Sequence, residues 1–258
     1  MGTDGGGAMK RMALRLIVPV LLIAGWQLLA SGSVHAPRPS TVVEAAIAML
    51  RDGDLLAGLA TSLGRVFAGF AIAACVAIPL GIAMGSMPTV ERNLDPLVET
   101  FRPIAALAIL PLVILWLGSG SGAAIAIVAY AAFFPILINT ISGVKRIEPS
   151  LMRAALTMGL RPLTRMRVVL LPAALPSILV GMRIGLGIAW TAIIAAELAV
   201  GAKSGSSGGI GQMMFVFYAY SIDLNGMVVC MIAVGIVAFA LDRALRWALA
   251  ITVPWSRL

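Results

Sequence analysis

Charge is what this chain has least of: only 12% of its 258 residues are Asp, Glu, Lys or Arg, against roughly 25% in soluble domains. Too little polar surface is available to cover a water-soluble fold, and the mean hydropathy of +1.02 agrees. Histidine occurs once, as His35, and cysteine twice, as Cys75 and Cys230. A metal site needs three or four ligands at close spacing, so His35 is given no role. Both cysteines fall in apolar runs, where a lone Cys is a small packing residue and no disulfide framework is indicated. No GxxxxGK[ST] loop is present to hold a nucleotide on stacked backbone N–H groups. The apolar runs also lack an HExxH, paired carboxylates or a Ser/His/Asp set, which disfavours a membrane-embedded enzyme. Strict inside/outside alternation is missing too, and with it the pattern of a β-barrel.

What remains is a series of long apolar runs. A helix that crosses ~30 Å of hydrocarbon needs about 20 residues, and stretches near that length occur at 12–30, 66–87, 103–117, 123–144, 173–196 and 224–241. The reading is an all-α, polytopic bundle of about six spans. The run at 103–117 is short and contains Pro111. Residues 1–11, rich in glycine, read as a disordered tail, 12–251 as the membrane domain with a loop at 145–172, and 252–258 as a second tail. Lys10, Arg11 and Arg15 precede the first run, which is long enough to be a retained span and not a cleaved signal. In 34–60, Val42, Val43, Ala46, Ile47 and Leu50 recur at helical spacing and suggest a surface helix. The segment 201–223 reads as a loop that dips towards the bilayer or lies on its outer face.

The formal net charge of +8 is distributed unevenly. With the N-terminus in the cytoplasm, the inner flanks hold Arg92, Arg102, Lys145, Arg146, Arg153, Arg161, Arg165, Arg167, Arg243, Arg246 and Arg257, and the outer side keeps Arg38, Arg51, Arg65 and Lys203. By the positive-inside rule both termini are then cytoplasmic, in a multi-pass protein of the cell (inner) membrane. The basic balance is topology, and nothing points to nucleic acid. Within the runs, Gly69, Ala73 and Ala77, and again Gly181, Gly185 and Ala189, recur every fourth residue, a spacing that lets helix backbones approach.

One loop departs from this economy of charge. MRAALTMGLRPLTRMRVVLLP, residues 152–172, carries four arginines between two apolar runs. Glu-Pro-Ser at 148–150 reads as a helix start with Ser150 as N-cap. Leu151, Ala154, Ala155 and Met158 then make an apolar stripe, Gly159 supplies a left-handed C-terminal cap and Pro162 the first turn of a second short helix. Ala154-Ala155, three residues, Gly159, nine residues, then Val169 and Leu171-Pro172 resembles the EAA motif of permease subunits of ATP-binding-cassette importers. The segments 61–70, 103–120, 133–144 and 181–197 look like the permeases for aliphatic sulfonates, taurine, nitrate and pyrimidine precursors.

That resemblance implies a type I importer permease that hydrolyses nothing itself. Its loop would be the coupling helix, with Leu151, Met152, Arg153, Ala154, Ala155, Met158, Gly159, Leu171 and Pro172 as the residues that meet the ATPase. It implies a second permease copy, in a homodimer, two ATPase subunits that carry ATP and Mg2+, and a periplasmic or lipid-anchored solute-binding protein. This chain itself would hold no cofactor. Arg153 stands where the family has Glu, so any ion pair made through that carboxylate does not carry over. A secondary transporter or channel acting without an ATPase is the alternative.

Four polar residues in the runs are candidates for the substrate path or a gate. Arg65 and Glu197 lie near the outer ends of the second and fifth spans and either pair with each other, let Arg65 meet an anion, or snorkel to the interface. Arg183 lies deep in the fifth span, where it reaches back to the interface or gates the path. Asn139 in the fourth span suits an inter-helix hydrogen bond. Arg65, Arg38 and Lys203 outside make a small anion, such as a sulfonate or nitrate, a reasonable solute.

Overall fold

The computed structural model describes residues 17–18, 21–22, 24–30, 36–200 and 208–252. Among them all regular structure is helical. The expected first span is only partly within the described residues, and those described there are helical; residues 1–11, 253–258, His35 and Lys203 lie outside them. In order come α1 (Pro39–Asp52), α2 (Asp54–Ser86), α3 (Pro88–Phe101), a 3-10 turn (Ala106–Ile109) leading into α4 (Leu110–Leu117), α5 (Ser121–Lys145) and α6 (Pro149–Thr157). They are followed by α7 (Pro162–Val200, with a π turn at Met166–Leu170), α8 (Ile210–Val216, with a π turn at Phe217–Ser221) and α9 (Leu224–Thr252).

Four of the described helices are long and apolar enough to cross a membrane: α2, α5, α7 and α9 up to Ala248. The single span expected at 103–117 is replaced by a broken one. The stretch Ala106–Leu117 meets α3 at an 83° bend, and its 12 residues would reach only about 18 Å. Pro103 at the break has no N–H to continue the ladder. The Phe101 carbonyl there accepts instead from the Ile104 N–H at 3.1 Å and the Tyr130 hydroxyl at 2.7 Å.

The other boundaries move as well. The surface helix expected in 34–60 is α1, but the second span begins at Asp54, not at 66, because no breaker follows Gly53. Gly53 itself takes φ 81° to turn the chain between α1 and α2. The supposed loop at 210–221 is helical, with Ile210 and Gly211 buried.

At the centre stands α5, flanked by α2 and α7. Its Val128, Ala132, Ile136 and Leu137 are buried against Val66, Ala73, Ala77 and Met84 of α2 and Ala189, Trp190 and Ile193 of α7. Both stripes of small residues face it. A methyl group on Gly69 would lie 2.7 Å from the Ile125 carbonyl, and one on Gly81 would lie 2.7 Å from the Thr140 side chain. On the other flank, methyl groups at Gly181 and Gly185 would come within 2.6 Å of Asn139 and 3.0 Å of Ile136. Close backbone approach is therefore what holds the three long helices, as expected where lipid removes the hydrophobic advantage of larger side chains.

Candidate functional site

The arginine-rich loop forms at the end of the bundle where α2 and α5 terminate. Helix α6 starts two residues earlier than its spacing suggested: Glu148 is the N-cap and Pro149 the first helical residue, which leaves Ser150 inside the first turn with no capping role. Proline suits that position because its missing N–H would be unpaired there anyway. The C-terminus closes as a Schellman motif. Gly159 adopts φ 65°, its N–H meets the Leu156 carbonyl at 3.0 Å, and the Leu160 N–H meets the Ala155 carbonyl at 3.2 Å.

The expected apolar stripe is divided between two faces. Ala155 is buried, and half-buried Met152 packs with Ile82, Val144, Leu170, Ala174 and Ile178, so these two root α6 on the bundle. Leu151, Ala154, Leu156 and Met158 point away and are exposed, as are Arg153, Gly159, Leu171 and Pro172. Pro162 opens a helix as expected, but not a short one: the chain runs through the π turn straight into the spanning part of α7, so Leu171 and Pro172 are helical.

At the opposite end the structure brings Arg65 and Glu197 together. Arg65 Nη1 donates to Glu197 Oε1 at 2.7 Å, and both side chains are buried, Glu197 to 1% exposure. The carboxylate also accepts from the Ser62 hydroxyl, at 2.8 and 3.0 Å to its two oxygens, and from the Gly211 N–H at 3.0 Å. Ser62 Oγ in turn accepts the Ile210 N–H at 2.9 Å, and Arg65 Nε donates to Ser121 Oγ at 3.2 Å. The cluster thus ties α2, the start of α5, the end of α7 and the start of α8. A methyl group on Gly209 would sit 2.0 Å from Glu197 Oε1, so the α8 entry is built around this carboxylate.

Arg183 neither snorkels alone nor stands free. Its Nε donates to Asp242 Oδ1 at 2.7 Å, and Arg246 Nε donates to Asp242 Oδ2 at 2.8 Å, which links α7 to α9. Asn139 departs from expectation, since its Nδ2 donates to the Pro135 carbonyl of its own helix at 2.8 Å, not across to a neighbour. It lines a cavity of about 410 Å3 beside α5, together with Arg102, Tyr130, Phe134, Ile184 and Ile188.

Sequence reasoning missed Ser62, Gly209, Gly211, Asp242 and the place of Arg102. Ser62 lies one turn before Arg65 and Asp242 one turn before Arg246, spacings that were legible. The glycines show only through the carboxylate they pack against.

This framework can be set beside proteins already known. Residues 77–254 match the model of the "Binding-protein-dependent transport system inner membrane component" family. The chain is 41% identical to a putative ABC transporter permease protein of Methanocaldococcus jannaschii, with 92% of this chain and 90% of the relative covered. It is 33% identical to the taurine transport system permease protein TauC of Escherichia coli, over 95% of this chain and 90% of that one. With the nitrate import permease protein NrtB of a Synechocystis strain it shares 34% identity, over 92% and 87%. Among solved structures it superposes on the MetNI methionine ABC transporter with a TM-score of 0.66 at 20% identity, over 77% of this chain and 95% of that one. In fold and in sequence alike, the chain belongs to the binding-protein-dependent transport system inner membrane components, the permease family of the ATP-binding-cassette importers.

Proposed function

We propose that this permease forms the path for a small anion of the sulfonate or nitrate class and takes its driving force through α6 from a separate ATPase subunit. The observation that carries this reading is the two-sidedness of α6. One face is fixed to the bundle by Ala155 and Met152, while Leu151 at 50%, Leu156 at 56% and Met158 at 68% exposure present apolar surface on a loop otherwise rich in arginine. Exposed apolar groups on a rooted helix suit a groove on a partner protein. ATP and Mg2+ reside on that partner, a second copy of this chain completes the path, and a solute-binding protein delivers the anion from outside. The termini and α6 lie in the cytoplasm, where the positive-inside rule puts the basic loops. The names of the taurine and nitrate relatives support an anionic solute.

Within this reading Arg65, Glu197 and Arg183 belong to the frame of the path, because each already holds an ionic partner. Asn139 belongs to its lining. The test uses the whole transporter in proteoliposomes. Leu151→Asp and Met158→Asp, singly and together, are expected to reduce co-purification of the ATPase and to abolish ATP-driven uptake while the permease still folds. Full uptake and full ATPase retention in the double variant would remove α6 from the coupling role, and uptake driven by an ion gradient without the ATPase would favour a secondary transporter.

A further inference from the structure

We infer that Arg102 and Asn139 form an anion site in the open cavity beside α5, a way station for a sulfonate or similarly sized oxyanion part-way along the path. This deepens the functional reading above and rests on it. From its neighbours in sequence Arg102 belongs to the α6-side flank, but the broken span carries it elsewhere. The 83° bend between α3 and the Ala106–Leu117 stretch is pinned by the Tyr130 hydroxyl, which donates to the Phe101 carbonyl at 2.7 Å. Tyr130 lies nine residues from Ser121 and fifteen from Lys145 in α5, or about 14 and 22 Å along the helix. Arg102 therefore enters the cavity wall well inside the span.

Cations at such depth are rare and pair or face water. The other arginines within the bundle, Arg65 and Arg183, have carboxylate partners, whereas the Arg102 guanidinium makes no hydrogen bond or ion pair among the described residues, its backbone N–H alone donating to the Val98 carbonyl. No carboxylate lines the cavity, whose walls are otherwise aromatic and aliphatic apart from Asn139. Asn139 spends one amide proton on the Pro135 carbonyl, which leaves the second N–H for a ligand. A solvent-accessible guanidinium without a carboxylate partner, a spare amide donor and a volume of about 410 Å3, inside the ~300–1,000 Å3 range of small-molecule sites, together suit one oxyanion. The bidentate fork of arginine matches two of its oxygens. Tyr130 acts as a positioning residue, since its proton is already given to the backbone.

The test needs no knowledge of the natural solute. In the assembled transporter, with Cys75 and Cys230 replaced by Ala, Ile184→Cys puts one thiol on the cavity wall, where Ile184 is 46% exposed. Its rates of modification by an anionic sulfonatoethyl methanethiosulfonate and by the cationic trimethylammonium reagent, each divided by that reagent's rate with free 2-mercaptoethanol, are then compared in detergent. The anionic reagent is expected to react at least about tenfold faster, as a nearby fixed cation requires. Ethanesulfonate or nitrate should slow it, Arg102→Lys should keep the preference and Arg102→Gln should erase it. Equal rates with Arg102 present, no reaction with either reagent, or a preference untouched by Arg102→Gln would each overturn the proposal. Should Arg102→Gln fail to assemble, slowing by added anion in the Arg102 protein decides the matter alone. Loss of ATPase coupling in the α6 variants would leave these rates unchanged, so the two readings fail separately.

Discussion

Replacing Glu197 by Gln keeps the size of the side chain and removes its charge, and the structure sets how much that costs. Arg65, Ser62 and the Gly211 N–H all aim donors at this carboxylate, at 2.7 to 3.0 Å. A carboxamide offers one acceptor oxygen and turns its NH2 group towards at least one of those donors, and Arg65, 9% exposed, loses the carboxylate to which its Nη1 donates. Breaking a buried pair from one side costs about 3–5 kcal/mol. Arg65→Gln is milder, about 2–3 kcal/mol, because Ser62 and Gly211 still serve the carboxylate. In the double variant the two amides can bond to each other, so the combined loss falls short of the sum by about 2 kcal/mol or more. The cycle is read from reversible unfolding in mixed detergent micelles. A coupling below about 0.5 kcal/mol, the level of independent sites, would refute the claim that the network is held by this pair.

Further outcomes follow from packing and capping. Gly143→Ala forces a methyl group to within 2.6 Å of Ser177 and 3.1 Å of the Ala174 carbonyl, a loss of about 1–3 kcal/mol in the same assay. Gly64→Ala and Gly235→Ala meet nothing within 4 Å and should be neutral or stabilising by up to about 1 kcal/mol. Gly159→Ala places a Cβ on a residue at φ 65°, which weakens α6 by about 1–2 kcal/mol and should lower ATP-driven uptake more than the thermal midpoint of the permease. Asp242→Asn leaves Arg183 and Arg246 without their shared carboxylate; it should lower the thermal midpoint, and adding Arg183→Gln should cause little further loss.

The sequence spoke most clearly where local chemistry decides the outcome. Gly159 has one conformation that closes a helix, and Pro162 one position that opens the next, so the turn between α6 and α7 was readable residue by residue. The glycine and alanine stripes were readable because a four-residue period in an apolar run has a single geometric meaning. The Arg65–Glu197 pairing was readable as one of three choices, since charges at depth seek partners. What escaped were the features set by three-dimensional closure. Hydropathy cannot distinguish a straight span at 103–117 from a bend secured by a tyrosine from another helix. Nor can it tell that the apolar stripe of α6 would split between a buried Ala155 and an exposed Met158.

How force applied at α6 reaches the rest of the molecule follows from the same packing. Helix α5 touches α2 and α7 through backbone-close glycine contacts along much of its length, from Gly69 and Gly185 to Gly85 and Gly143. Such interfaces have no flexible side chains to absorb displacement, so the three helices move as one body. Met152 and Ala155 root α6 on that body at one end, and the Arg65–Glu197 network fastens its helices at the other. The bent segment joins the same body: Glu91 pairs with Lys145, Val90, Leu94 and Val98 of α3 pack on the core, Ile109, Val113 and Ile114 pack with Ile127, Ala192 and Ala196, and the Tyr130 hydroxyl holds the bend. The cavity lined by Arg102 and Asn139 lies between that bend and helices α5 and α7. An anion held there would meet a guanidinium with no carboxylate beside it, whereas one bound at the Glu197 end would meet groups already paired.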